Sequence, residues 1–340
     1  MQKIKMFGKK ISNTIHRNKG MILLLFLSII LVLPVNYYII IGGNISDIDS
    51  RILVEDENNS KGSFNISFVT EIRGEVFTYL LSYIIPSWEL DSIDNYKYEK
   101  EEVAEEIAFR ESLDLKVANS TAIKYAYQLA GKQVNEVNNE IYITAVWKEY
   151  NSKLKIGDQL LSINGNKYKT ILEYIEYLQT LKSDDIVKVK ILRNGKEKII
   201  ETGLHQYDNH LILGISLEEY ITYETDPKIE IKFNKNEMGP SAGLITTLAI
   251  YDKLTKKDLT KSLKIAGTGT IEKDGSIGQI GGVKYKLLGA AKGKADIFLV
   301  PIGKNYEECL SLKQEKNLNI KIIGVETIKD AIQQLQSLKG

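Results

Sequence analysis

The sequence predicts a mixed α/β (α+β) chain. A layered C-terminal domain is preceded by an inserted β-rich module and by an apolar N-terminal helix. Three observations carry this. From residue 211 onward, strand-like alternation and helix-like apolar spacing take turns, the pattern of an α/β layer domain. Residues 138–203 hold short alternating runs punctuated by Gly-Asp and Asn-Gly, which mark a separate β-rich unit. Residues 21–41 are uncharged and mostly apolar, long enough as one helix to cross a bilayer. With 340 residues there is room for two or three domains, and 43% hydrophobic content supplies their cores. A net charge of +1 gives no field suited to nucleic acid, and none is expected as a partner. The single cysteine, Cys309, excludes an intramolecular disulfide and a cysteine-based zinc cluster. It is expected as a small core residue, and no motif calls for a metal or a cofactor.

In chain order, residues 1–20 form a short basic tail (Lys3, Lys5, Lys9, Lys10, Arg17, Lys19). Positive charge ahead of an apolar run places the tail in the cytoplasm and everything after Gly42 outside it, as a single-pass membrane protein. Pro34 and Asn36 are tolerable within a transmembrane helix over 21–41. A cleaved signal peptide is the rival, but no small-residue cleavage site stands near the end of the run. Residues 44–62 are polar and predict a tether, 63–72 a strand, and 75–84 a helix stopped near Pro86. Glu101, Glu102, Glu105, Glu106 and Arg110 predict a solvated helical face. Ser120 is placed to cap a following helix with Ala122, Ala126 and Leu129.

The inserted module opens with a strand pattern at Ile141–Val146, followed by Leu154-Lys155-Ile156-Gly157-Asp158-Gln159-Leu160-Leu161-Ser162-Ile163-Asn164-Gly165. That run resembles the PDZ signature. Tyr168 to Leu181 predict a helix, and the stretches around Asn194-Gly195 a hairpin. A PDZ domain over 138–203 implies binding of extended peptides by strand addition. The glycine-rich turn that should precede the binding strand is not seen ahead of Ile141, where Asn138-Asn139-Glu140 stands.

In the C-terminal domain, strands are expected at 211–217, 228–233, 263–271, 296–300 and 319–325, and helices at 242–254, 283–292, 305–314 and 327–337. Between the second strand and the first helix lies Asn236-Glu237-Met238-Gly239-Pro240-Ser241-Ala242-Gly243. A serine on a glycine-flanked turn that opens a helix is where a nucleophile is often displayed, beside N–H groups that can receive an oxyanion. The literal Gly-x-Ser-x-Gly suggests a hydrolase triad, yet the histidines are His16, His205 and His210, and none follows Ser241. A lysine is the obvious substitute base. Gly281-Gly282-Val283-Lys284-Tyr285-Lys286 predicts a glycine turn opening a helix. There the positive helix end and burial would both lower a lysine pKa from about 10.4. Helical phase leaves Lys284 and Lys286 both open.

These two motifs, in this order, resemble those of the Lon-type serine peptidases. Together with the PDZ module and the apolar N-terminus, they resemble the membrane-anchored, PDZ-containing group of that family. The resemblance implies a Ser–Lys dyad of Ser241 and Lys286, with Thr268, in the Ile265–Ile271 segment, orienting the lysine. It implies oxyanion donors around Gly239 and Ala242. It further implies a proteolytic domain over 211–338 against which an N-terminal strand–helix region, 44–135, packs, and homo-oligomers. Met238 departs from the family, where many members carry an acid and the membrane-anchored group a glycine. No Gly-x-x-x-x-Gly-Lys-Ser/Thr occurs, and Gly289–Ala295 has the wrong spacing, so no ATP is expected. The expected function is an ATP-independent, membrane-anchored serine endopeptidase acting on extracytoplasmic peptides or unstructured protein segments. The alternative is a non-catalytic, membrane-tethered PDZ binding protein with an inactive peptidase fold.

Overall fold

Proline divides the apolar N-terminal run. In a computed structural model, which describes residues 17–338 except 56–60, 235 and 256, the first helix stops ahead of Pro34 and the chain continues as a strand. The elements in order are α1 (Lys19–Leu31), β1 (Pro34–Asp47), β2 (Ile52–Val54), β3 (Ser63–Glu75), α2 (Val76–Ser82) and β4 (Glu89–Ser92). Then come α3 (Ala104–Ala130), β5 (Gln133–Val146), β6 (Gln159–Ile163), α4 (Ile171–Gln179), β7 (Ile186–Arg193), β8 (Lys196–Gly203), β9 (His205–Tyr207) and β10 (His210–Ile212). The C-terminal part holds β11 (Ile215–Asp226), β12 (Ile229–Ile231), α5 (Gly243–Thr255), β13 (Lys264–Gly267), α6 (Val283–Lys292), β14 (Ile297–Pro301), α7 (Lys304–Lys316), β15 (Lys321–Val325) and α8 (Ile328–Ser337). Contacts divide the chain into two units: Met1–Gly42 with Thr70–Tyr96, and Gly43–Val69 with Lys97–Gly340.

The first unit corrects the expected transmembrane helix over 21–41. The 13 residues of α1 rise about 20 Å, short of the roughly 30 Å of a bilayer core. Residues 37–40 instead pair antiparallel with β4, Tyr37 opposite Ser92 and Ile40 opposite Glu89. Proline cannot donate the bond that would carry a helix onward, and the following β-branched and aromatic residues suit a strand. Among the described residues no helix is long and apolar enough to cross a membrane. Even so, α1 buries none of its side chains. The basic positions up to His16 lie outside the described residues.

In the second unit, β3, β13, β14 and β15 form a parallel run, with β13 between β3 and β14. Alternation along these strands feeds two cores. Ile265, Ile297, Leu299 and Ile323 pack with α5, α8 and the α3 residues Ala122, Ala126 and Tyr127. Ala266, Phe298, Val300 and Ile322 pack with α6 and α7, where Cys309 is fully buried. Helices therefore cover both faces, as a parallel sheet requires. The expected tether is corrected in part: Ile48, Ile52 and Val54 are buried in the first of these cores, and β2 pairs with β12. Residues 56–60 lie outside the described residues.

Two expectations for the charged stretch also change. Glu102 and Arg110 are not solvated; they form a buried, two-armed pair (3.1 and 3.0 Å), and Tyr98 lies over the guanidinium. Ser120 does not begin a helix, because α3 runs unbroken through it and its hydroxyl donates to the Ile221 carbonyl.

The β-rich module is a five-stranded antiparallel sheet of order β11-β5-β6-β7-β8. Its edge strand, β11, comes from residues expected to begin the C-terminal domain. It pairs along β5 from Ile215–Val146 to Asp226–Gln133. Leu213, Ile215 and Leu217 join the module's own apolar core, which explains the shift of boundary. Asp158 of the Gly-Asp turn grips Arg193 with two bonds of 2.6 Å.

Candidate active site

The helix that follows Ser241 is buried from Gly243 to Leu254, so its N-terminal end is set by interior packing. The preceding turn is left-handed at Gly239 (φ +82°), and a Cβ there would sit 3.1 Å from a Glu111 carboxylate oxygen. Ser241 is half-buried. Its carbonyl accepts from the Gly269 N–H (2.8 Å) and the Thr268 hydroxyl (3.2 Å), and the Leu244 N–H returns to the Gly269 carbonyl (3.0 Å). The nucleophile turn is thereby zipped to the residues that directly follow β13.

Lys286 lies in the first turn of α6, on the other face of the sheet, and is 6% exposed. Its carbonyl accepts from the buried Ser67 hydroxyl at 2.6 Å. Ser67 lies on β3 one residue beyond Ile66, which is in register with Gly267 of β13. The two anchors are therefore level on neighbouring parallel strands, Ser67 within β3 and Thr268–Gly269 just past the C-terminal end of β13. The helix itself is seated by backbone approach. A Cβ on Gly43 would overlap the Tyr285 carbonyl, and one on Gly289 would come within 2.5 Å of the Asn44 nitrogen. Burial also separates the two lysines left open by helical phase: Lys284 is only half-buried, with its ammonium 5.2 Å from the centre of the Tyr285 ring.

One expectation for the supporting residues needs correction. The Gly239 N–H is bonded to the Glu111 carbonyl (2.9 Å), so in this arrangement it is not an oxyanion donor. The N–H of Ala242 makes no hydrogen bond among the described residues, whereas those of Gly243 and Leu244 turn to Pro240 and Gly269. Thr268, fully buried, gives its hydroxyl proton to the Ser241 carbonyl and so braces the serine turn. Sequence reasoning missed Ser67, Arg51 and Glu111. Each reaches the site through the fold, and none stands in a motif. Glu237, beside the unexpected Met238, bonds Arg51 at 2.5 Å, while Met238 itself is exposed.

Two carboxyls, one on α3 and one on β11, are perturbed by burial and by neighbouring charges. Burial raises the pKa of Asp114 on α3, against the nearby Arg110. Burial raises Glu218 on β11 too, helped by the charge of Asp114 and opposed by Lys273. Among the described residues no group of His, Cys, Asp and Glu is placed to hold a metal ion.

A second feature lies in the β-rich module. Its open edge, β11, runs beside α4, and Glu219 of β11 accepts from the Ile171 N–H at the start of that helix (2.8 Å). At the other end, the Gln179 amide exchanges two bonds of 2.9 Å with the Leu211 backbone. The strand beside the helix is therefore β11, preceded by Leu213-Gly214, and not the Ile141 strand ahead of which a glycine turn was sought.

Residues 232–337 match the family model of the Lon protease (S16) C-terminal proteolytic domain, and residues 130–204 match that of the PDZ domain. The Lon protease of Malacoplasma penetrans is 30% identical over 183 residues, 51% of this chain and 22% of that protein. The Lon protease of Campylobacter jejuni is 36% identical over 96 residues, 28% of this chain and 12% of that protein. The chain thus spans under a quarter of the length of these curated relatives. Among solved structures, the PDZ domain of the SdrC-like protein from Listeria monocytogenes is 26% identical. It covers 23% of this chain and 85% of that one, with a TM-score of 0.22.

Proposed function

We propose that this chain, which carries a Lon-type proteolytic domain and a PDZ domain, is a serine endopeptidase that works through a Ser241–Lys286 dyad. One observation carries the reading: the serine turn and a buried lysine, on helices from opposite faces, are anchored level with each other on neighbouring strands. In this reading the Ser241 hydroxyl attacks the scissile carbonyl while the Lys286 amine takes its proton. A neutral lysine, kept from water, is suited to that transfer. The Ala242 N–H, at the positive end of α5, receives the developing oxyanion. Lys286 then hands the proton to the leaving amine, and water, activated by the same amine, releases the acyl group from Ser241.

In this reading the substrate class is peptides or unstructured protein segments, whose backbone can reach the serine turn without prior unfolding. A peptide strand can pair with the open edge of β11 beside α4. The apolar α1, exposed from Lys19 to Ile29 and preceded in sequence by basic residues, supports attachment to a membrane with the catalytic part outside the cytoplasm.

The test is digestion of an unstructured peptide library by the full chain in detergent, read by mass spectrometry, with and without ATP and magnesium. Cleavage that is lost in Ser241→Ala and indifferent to ATP is expected. One observation favours a second reading, a PDZ binding protein with a silent peptidase fold: the Gly239 N–H is already occupied by Glu111. A folded chain that binds peptides but cuts none, with or without Ser241, would establish that reading instead.

A further inference from the structure

We infer that Arg51, outside the stretch that matches the peptidase family, is a positioning residue for the nucleophile turn, acting through Glu237. The inference rests on the peptidase reading of Ser241. Arg51 ends a short 3-10 turn, Asp49–Arg51, and holds the approach to Ser241 at two points. Its carbonyl accepts from the Lys232 N–H (3.0 Å), where the segment leaves β12. Its guanidinium donates to a Glu237 carboxylate oxygen (2.5 Å), four residues before the serine, and with its other arm to the Ser46 hydroxyl. The Glu237 carboxylate also accepts from the N–H (3.1 Å) and the side-chain amide (2.9 Å) of Asn234, which closes the segment on itself. The Arg51 and Glu237 side chains are 17% and 31% exposed, so the pair is partly shielded from water.

A planar guanidinium with two separate acceptors fixes an angle as well as a distance, which a lysine ammonium would not. The 2.8 Å and 3.2 Å bonds at the Ser241 carbonyl hold the far side of the same turn. Without the Arg51 side chain, Glu237 loses its tie to the Asp49–Arg51 turn while the backbone bonds remain, and the serine hydroxyl gains freedom relative to Lys286. Misplacement of a reacting group by about 1 Å can cost roughly a hundredfold in rate.

The experiment compares Arg51→Ala, Glu237→Ala, the double variant and Arg51→Lys in the full chain, reading kcat and KM on a cleaved peptide. Hydrogen exchange of the amides in 232–241 is measured beside them. The expected result is a kcat lower by about ten- to a hundredfold in each single variant, the scale of such a misplacement, with KM changed little. The double variant should be no worse than the singles, Arg51→Lys should recover part of the loss, and exchange should quicken in 232–241 but not in α6. Losses that multiply in the double variant would overturn the inference. So would unchanged exchange in 232–241, or exchange raised throughout the protein. If Arg51→Ala fails to fold, Glu237→Ala reads the same contact from its exposed end. If the unaltered chain cuts nothing while 232–241 still loosens on substitution, the clamp stands and the peptidase reading falls.

Discussion

The turn that carries Ser241 and the helix that carries Lys286 are held by different physics. The turn is fastened by polar bonds from Arg51, Glu111 and Thr268–Gly269, segments distant in sequence. The helix is seated by apolar burial of Val283, Leu287 and Ala290, by backbone contact at Gly43 and Gly289, and by the bond from Ser67 to the Lys286 carbonyl. Close packing is stiff and tolerates little added volume. A hydrogen-bonded turn can be adjusted one bond at a time. The lysine should therefore be fixed by the fold, and the serine turn should be where activity is tuned.

The comparison breaks most sharply at the glycines. Gly43→Ala places a methyl into the Tyr285 carbonyl, and overpacking of this kind should cost roughly 3 kcal/mol. Urea unfolding measures it. A cost under about 1 kcal/mol would mean that the helix is not wedged as described. At the turn, Thr268→Val keeps the shape and removes one of the two donors to the Ser241 carbonyl. Stability should fall by about 1–2 kcal/mol, with a larger proportional loss of peptide turnover than of stability.

A pH-dependent effect is expected at Asp49, which begins the turn that ends in Arg51. Burial pushes its carboxyl up to about 7, against the lowering effect of the Phe64 N–H that donates to it at 2.6 Å. A folded-state pKa above the unfolded value of about 3.9 favours folding while the carboxyl is protonated. This contribution is complete below about pH 4 and is lost as pH rises through about 7. Asp49→Asn should flatten that part of the stability profile between about pH 4 and 7. A wild-type profile that rises over this range and is unchanged by the substitution would contradict the assignment. The smallest effect is expected at Cys309, fully buried in the core beneath α7, where burial raises the thiol to about 12. Iodoacetamide should leave it unmodified in the native protein and label it after denaturation, as mass spectrometry would show.

Much of the C-terminal domain was legible because its elements are long and their apolar spacing is regular. Helices expected at 242–254, 283–292 and 327–337 stand at Gly243–Thr255, Val283–Lys292 and Ile328–Ser337. The two motifs were legible for a chemical reason: serine and lysine in glycine turns that open helices are uncommon enough to notice. What local pattern could not reveal was long-range pairing. Arg51 and Glu237 are 186 positions apart. The edge strand β11 belongs to the sheet of β5, across an intervening module. The same limit explains Glu102 and Arg110, whose charges suggested solvent but cancel each other in a buried pair. At the N-terminus, apolar content outweighed the proline that ends the helix.

The most direct measurement sets Lys286→Ala against Lys284→Ala on a peptide whose cleavage depends on Ser241. The account predicts that kcat/KM falls by at least about a thousandfold in Lys286→Ala, the scale of a lost general base. Lys284→Ala should stay within about threefold of wild type, as a substitution outside the proton-transfer step should. Turnover that survives Lys286→Ala, or that is lost in Lys284→Ala, would contradict the dyad.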